Sequence, residues 1–349
     1  MTSSNATPSA FGWDFQANLA LYLVMDEDLK QIEKFKVEGK TEDIEIYYRH
    51  STEKRPMLVQ AKSQEDPMSD STTKKHLTNA INSLLRAVDE VDGEYSEVTY
   101  GTNIEIPIRA GIQKSFFEGL RKKYKYSELP VKFQQKLNEI MEDSNIKLDR
   151  PQVFKERLSI LKISFHGQDD ETRYGVVKAK VVDKLCSLGV ERHKCNRIFG
   201  FFQKEFIQNA SKRFDYNINE LGLTIILLSI ESDETQSFEK LDVPEEFIAR
   251  IKTEFSDYIS EKQLNFQFIS QLVGDYKKYV MNNPKMPQTQ KIQYFTNENF
   301  QQYQDYFLQK TANINQELID NIIKVTLYRI LSNRVEIDTI KERMALDEI

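Results

Sequence analysis

The chain has 349 residues, 40% of them hydrophobic and 29% charged, with 12 glycines and 9 prolines. That length allows one large or two modest domains, and the composition excludes a disordered, collagen-like or linker-rich chain. Acidic residues outnumber Lys and Arg by 54 to 48, a net charge of -6, which argues against a non-specific nucleic-acid coat and leaves only local basic patches for any contact with DNA.

The longest apolar run, LTIILL at 223–228, is far short of the roughly 20 residues a spanning helix needs. The opening MTSSNATPSA has neither a basic region nor an apolar core, so no secretory signal is expected. Two cysteines, Cys186 and Cys195, cannot build a disulfide framework. A cytoplasmic protein without membrane contact is the expectation.

In chain order, residues 11–28 carry a helical pattern, with Phe15, Leu19 and Leu23 on one stripe. Three strand-like runs follow: 35–38, ending at Gly39; 44–48 (IEIYY); and 57–61 (MLVQA), the last after a hairpin-like stretch at 50–55. Thr72 or Thr73 caps a helix running to about Val88, and 98–102 reads as another strand. Helix, three strands, helix, strand indicates a mixed α/β or α+β core rather than a bundle.

Beyond Gly111 helices dominate, with one further strand at 158–165 and a clear amphipathic helix at 195–213. Helical patterns recur at 247–258 and 317–331, separated by a proline-bearing break at 281–293. The expected organisation is therefore an α/β domain over 1–215 and a mainly helical regulatory or partner-binding domain over 216–349.

The chemistry concentrates between Glu38 and Lys62. Glu38 closes the first strand, Glu42 and Asp43 open the second, and the third presents Gln60 and Lys62 two residues apart. Alternation puts Leu58, Gln60 and Lys62 on one face, so an amide and an ammonium project together beside Asp43. This suits metal-assisted phosphodiester hydrolysis. Mg²⁺ keeps several waters and is held by one or two carboxylates. Asp43 and Glu38 supply these, with the Gln60 carbonyl as a neutral ligand, and Lys62 orients the attacking water or neutralises developing charge. Glu45, two residues from Asp43 and hence on its face, is a reserve ligand. Taken singly, each of these residues reads more plainly as a turn, strand or solvated side chain.

The spacing Asp43…Gln60-x-Lys62 resembles the PD-(D/E)xK restriction-endonuclease superfamily, in the variant where Gln replaces the second acid. Together with Phe11-Gly12-Trp13-Asp14-Phe15-Gln16, an apolar helix, and then the VEG, ED and VQAK segments, it is similar to the endonuclease effector domain of bacterial antiphage systems. That domain is known from CBASS effectors and from the nuclease subunit of Lamassu systems. The motifs span roughly residues 8–105.

The resemblance implies a restriction-endonuclease-like mixed sheet flanked by helices. It also implies Mg²⁺ (or Mn²⁺) at Asp43, Gln60 and Glu38, catalysis through Asp43, Gln60 and Lys62, and Gln16 facing the active site. Double-stranded DNA would be cut to 5′-phosphate and 3′-hydroxyl ends. Control would come through homo-oligomerisation or through partner subunits, an SMC-like ATPase and an accessory protein.

Lys74 and Lys75, and the run Arg121, Lys122, Lys123 through Lys125, are the candidate phosphate contacts; the plainer reading of each is a solvated helix face. Cys186, His193 and Cys195 lack a fourth ligand for structural zinc. No P-loop and no G-x-S-x-G elbow occur. His50, His76 and His166 read as isolated surface or core histidines. The alternative to a nuclease is a non-catalytic protein that keeps the fold as a nucleic-acid-binding or scaffold module.

Overall fold

The computed structural model describes residues 7–49, 55–67, 70–92, 94–104, 119–212, 215–230, 234–252, 266–307 and 315–346. It divides into two compact units, residues 1–184 with 199–218, and residues 185–198 with 219–349.

In the first unit, helix α1 (Thr7–Asp26) precedes an antiparallel meander of β1 (Ile32–Val37), β2 (Ile44–Tyr48) and β3 (Met57–Lys62). Helix α2 (Asp70–Glu90) carries the chain to β4 (Glu97–Thr102), which lies parallel to β3. A parallel return requires such a crossover, because a tight turn can only reverse the chain. After α3 (Val131–Asp143) and α4 (Pro151–Arg157), β6 (Leu158–Ile163) adds parallel to β4. Two further strands, β5 (Arg121–Lys125) and β7 (Tyr216–Asn217), form the edges. The order is β5-β6-β4-β3-β2-β1-β7, a mixed sheet among the described residues.

Helices cover both faces of this sheet. On one, Leu58, Val98, Tyr100, Leu158 and Ile160 pack with Leu77, Ile81, Leu84 and Leu85 of α2 and with Phe133 and Leu137 of α3. On the other lies α1, apolar almost all round: Phe15 and Leu19 through Met25 are buried. Gly101 of β4 permits that closeness, since a Cβ there would collide with Leu19 Cδ2. Burying a helix on every side removes its polar stripe, which is why α1 looks so apolar in sequence.

Two edge strands depart from the sequence expectation. The run at Arg121–Lys125 is a strand, not a charged helix face. Tyr124 is half-buried against the α2-side core while Arg121, Lys123 and Lys125 are exposed, so the period is two. β7 has two residues, too few to show any period, and is held by Tyr216 stacked on Phe35 at 5.1 Å. Residues 50–54 of the expected hairpin, including His50, lie outside the described residues.

The second unit is helical, as expected for the C-terminal region. It contains part of α5 (Asp170–Leu188) and of α6 (Arg192–Lys212), which the two units share. It continues through α7 (Ile218–Ile230), which carries the LTIILL run, and α8 (Glu234–Lys240). A helical stretch at 245–252, α9 (Phe266–Asn282) and α10 (Gln288–Asn299) follow. The helix expected over 247–258 is described only to 252, and the break expected at 281–293 is confined to 283–287, between α9 and α10, its flanks being helical. α11 (Gln316–Ser332) is the central helix, with buried residues on all sides from Leu318 to Leu331, and α12 (Arg334–Met344) follows. No described helix is long and apolar enough to cross a membrane.

Candidate functional site

The register that sets Ile44 opposite Val59 and Glu45 opposite Leu58 places Asp43 across from Gln60, at the C-terminal end of β3. Leu58 belongs to the α2-side core, so Gln60 and Lys62 face α2 by alternation. The contact is direct. Gln60 Nε2 donates to Asp43 Oδ2, and the Ala61 N–H donates to the same oxygen at 2.8 Å. Burial raises the Asp43 carboxyl above its usual range. The Lys62 ammonium, the Ala61 N–H and the Gln60 amide oppose that rise, and the Glu38 charge adds to it. Lys62 is half-buried, and its charge also acts on Glu42 and His76.

The segment before β2 is folded on itself. Glu38 sits at φ 56°, in the left-handed region, and its N–H reaches the Asp43 carbonyl at 2.7 Å. Gln16 of α1 donates to the same carbonyl at 3.1 Å. Gln16 thus holds the backbone of Asp43, where the expectation from sequence had it face the reacting groups.

Glu45 lies on the expected face, but its oxygens are taken, so the reserve-ligand reading is corrected. Oε1 accepts from the N–H groups of Thr41 (2.7 Å) and Glu42 (3.4 Å), and Oε2 accepts from the Tyr47 hydroxyl at 2.6 Å. Glu45 organises the loop; Gly39 lies against its carboxylate, where a Cβ would come within 2.5 Å.

Two residues to which the sequence assigns no role stand at this strand end. Glu42 is buried, and its carboxyl is pushed up to about 7, by burial first and by the Asp43 charge next, against a Ser83 hydrogen bond from α2 and the Lys62 charge. Asn103, also buried, bridges the segments after β3 and β6. It exchanges two hydrogen bonds with the Gln64 backbone and donates to the Phe165 carbonyl. The only sequence signal for Glu42 is its adjacency to Asp43. Asn103 gives none, because its partners are 39 and 62 residues away.

The basic candidates divide. Lys74 and Lys75 are exposed on α2; Lys75 acts on His76 alongside Lys62, and Lys74 acts on Glu139 of α3. In β5, Lys123 pairs with Glu97 at 3.0 Å and Arg121 hydrogen-bonds Tyr22 of α1, so those two turn to the sheet face opposite α2. Lys122 sits across from Lys162 on the α2 side. Lys75 thus lies on α2, the helix that Lys62 faces, whereas Arg121 and Lys123 turn to the other face of the sheet.

Among the described residues, no three or more His, Cys, Asp or Glu side chains gather as a metal-holding group. Carboxylates and a neutral amide at one strand end nonetheless suit a hard cation that keeps several waters. One observation favours the fit: Glu42 Oε1 is buried without a hydrogen-bond partner, and such an oxygen is costly unless a donor or cation satisfies it.

No protein-family model matches the chain, and no curated protein matches it. Among solved structures it is similar to the Moraxella osloensis Cap4 SAVED/CARF-domain containing receptor, at 14% identity over 64% of this chain and 49% of that one, TM-score 0.41. It is also similar to the Acinetobacter baumannii Cap4 SAVED/CARF-domain containing receptor with the cyclic trinucleotide 3'3'3'-cAAA, at 12% identity over 64% and 46% of the two chains, TM-score 0.40. The match thus spans about half the length of those structures. Overlap at this level carries no argument about what this chain does.

Proposed function

We propose that this chain is a metal-dependent DNA endonuclease with a restriction-endonuclease-like first unit, acting as an effector in antiphage defence. The observation that carries the reading is the contact of Asp43 with Gln60, with Lys62 as the foremost positive charge acting on Asp43, at the end of a strand that feeds a parallel crossover. The helix-strand-strand-strand-helix-strand order supports the same reading. The defence role rests on the sequence resemblance alone.

Asp43 would hold the cation. Oδ2 is fixed by the Gln60 amide and the Ala61 N–H, which orients the carboxylate and leaves Oδ1 for the ion. A bound Mg²⁺ or Mn²⁺ supplies Lewis acidity, easing deprotonation of water and stabilising charge on the phosphoryl oxygens. Lys62, held at the strand end by a backbone carbonyl that accepts from Thr102 Oγ1 at 2.7 Å, would orient the attacking water or neutralise negative charge in the transition state. Gln16 and the Glu38 N–H keep the Asp43 backbone in place. A duplex has two strands of opposite polarity, so double-strand cleavage calls for two such centres, supplied by a symmetric pair of chains.

The test is cleavage of supercoiled plasmid with Mg²⁺ and with EDTA, for the wild type and for Lys62→Ala. Mg²⁺-dependent nicking or linearisation that Lys62→Ala loses is the expected result. A wild type silent with every divalent cation and at every protein concentration, or Lys62→Ala cutting at the wild-type rate, would refute the assignment.

A further inference from the structure

Burial of a carboxylate is tolerated when each oxygen finds a donor or a cation. At the end of β3, Asp43 Oδ2 has two donors and both Glu45 oxygens have donors. Glu42 differs. It is 5% exposed, more deeply buried than Asp43, and its Oε1 meets no hydrogen-bond partner. It is not stranded far from the site, because it feels the charges of both Asp43 and Lys62 and takes a hydrogen bond from Ser83 on α2, the helix that Gln60 and Lys62 face.

The local backbone explains how two consecutive acids can serve one point. In a regular strand, neighbours project to opposite faces. Residues 40–43 are bends, however, and β2 begins only at Ile44. The Glu45 carboxylate gathers the N–H groups of Thr41 and Glu42, curling the segment so that Glu42 is buried towards α2. The neutral residue at 60 leaves a second requirement. Its amide is used as a donor to Asp43 and brings no negative charge to the strand end.

We infer that Glu42, with Ser83 holding its side chain, supplies the second carboxylate of the divalent-cation site, the role that an acid at position 60 would otherwise fill. The inference rests on the metal-dependent reading above and deepens it. It also separates three acids that look alike in sequence: Asp43 and Glu42 are ligands, while Glu45 folds the loop that presents them.

The experiment measures Mn²⁺ affinity by calorimetry on the full chain, without DNA, for the wild type, Asp43→Asn, Glu42→Gln, Glu42→Asp and Ser83→Ala, with melting in EDTA as a check on folding. Glu42→Gln should weaken Mn²⁺ binding at least tenfold, as Asp43→Asn does, while melting no lower than the wild type in EDTA. Glu42→Asp should fall between, and Ser83→Ala should weaken binding several-fold. If Asp43→Asn loses Mn²⁺ while Glu42→Gln and Glu42→Asp bind as tightly as the wild type, the inference is overturned and the metal-dependent reading stands. A folded wild type that binds no Mn²⁺ overturns both.

Discussion

Gln16 of α1 donates its side-chain amide to the backbone carbonyl of Asp43 at 3.1 Å, sharing that acceptor with the Glu38 N–H at 2.7 Å. The helix thus fixes the main chain of the central acid from outside the β-meander. Gln16→Ala should lower plasmid cleavage by about tenfold, because small displacements of a reacting group are costly, while stability drops by only about 1 kcal/mol. Gln16→Glu, which keeps the length but removes the donor, should behave alike. Cleavage kinetics beside urea melts check both; unchanged rates would remove Gln16 from the site.

Glu45 and Gly39 form one structural unit. Glu45→Ala strands the N–H groups of Thr41 and Glu42 and the Tyr47 hydroxyl, at an expected cost of roughly 2–4 kcal/mol. Gly39→Ala drives a Cβ to 2.5 Å from the Glu45 carboxyl and should cost about 1–3 kcal/mol, as overpacking does. Because both act through the same carboxylate, the double variant should lose less than the two losses added. Chemical denaturation of the three variants measures this, and strict additivity would argue against the shared mechanism.

Glu42 sets a pH dependence of the metal-free protein. Its folded carboxyl titrates at about 7 against 4.5 for the free side chain, so the native state binds the extra proton between those values. The stability it lends is fully present below pH 4.5 and is lost as pH rises through 7. Glu42→Gln cannot ionise. Its stability relative to the wild type in EDTA should therefore grow between about pH 5 and pH 8, by up to about 3 kcal/mol. Denaturation at the two pH values reads the difference, and a constant offset would contradict it.

Lys75 and Lys123 should behave differently toward DNA. Lys75 is exposed on α2, the helix that Lys62 faces, whereas Lys123 is paired with Glu97 on the other face of the sheet. Lys75→Glu should weaken binding and flatten its log–log salt slope by about 0.9 for each phosphate the chain no longer neutralises. Lys123→Glu should leave the slope near that of the wild type. Fluorescence anisotropy across a salt series distinguishes the two, and the reverse ranking would place DNA on the opposite face of the sheet.

How much of this is legible in the chain follows from the range of each interaction. The first three strands, the α2 helix and the placing of Gln60 and Lys62 on one face of β3 can be read in advance, because strand and helix periods are local properties of consecutive side chains. The pairing of Asp43 with Gln60 follows from the same periods once β2 and β3 are taken as neighbours. The short edges cannot be read so. β7 has two residues, and Arg121–Lys125 presents charge on a strand that one half-buried tyrosine, Tyr124, ties to the core.

Which acid does what is a tertiary decision. Glu38, Glu42, Asp43 and Glu45 are interchangeable as letters. Their roles diverge because β3 donates to Asp43, Thr41 and Glu42 donate to Glu45, and α2 closes over Glu42. Asn103 likewise acquires its role only when β4 is laid between β3 and β6, where it ties the segments that follow both. Composition and local periodicity determined the class of fold and the strand end that carries the polar residues. The assignment of each oxygen to a donor, or to none, depends on groups distant in sequence, and so only the packed structure fixed it.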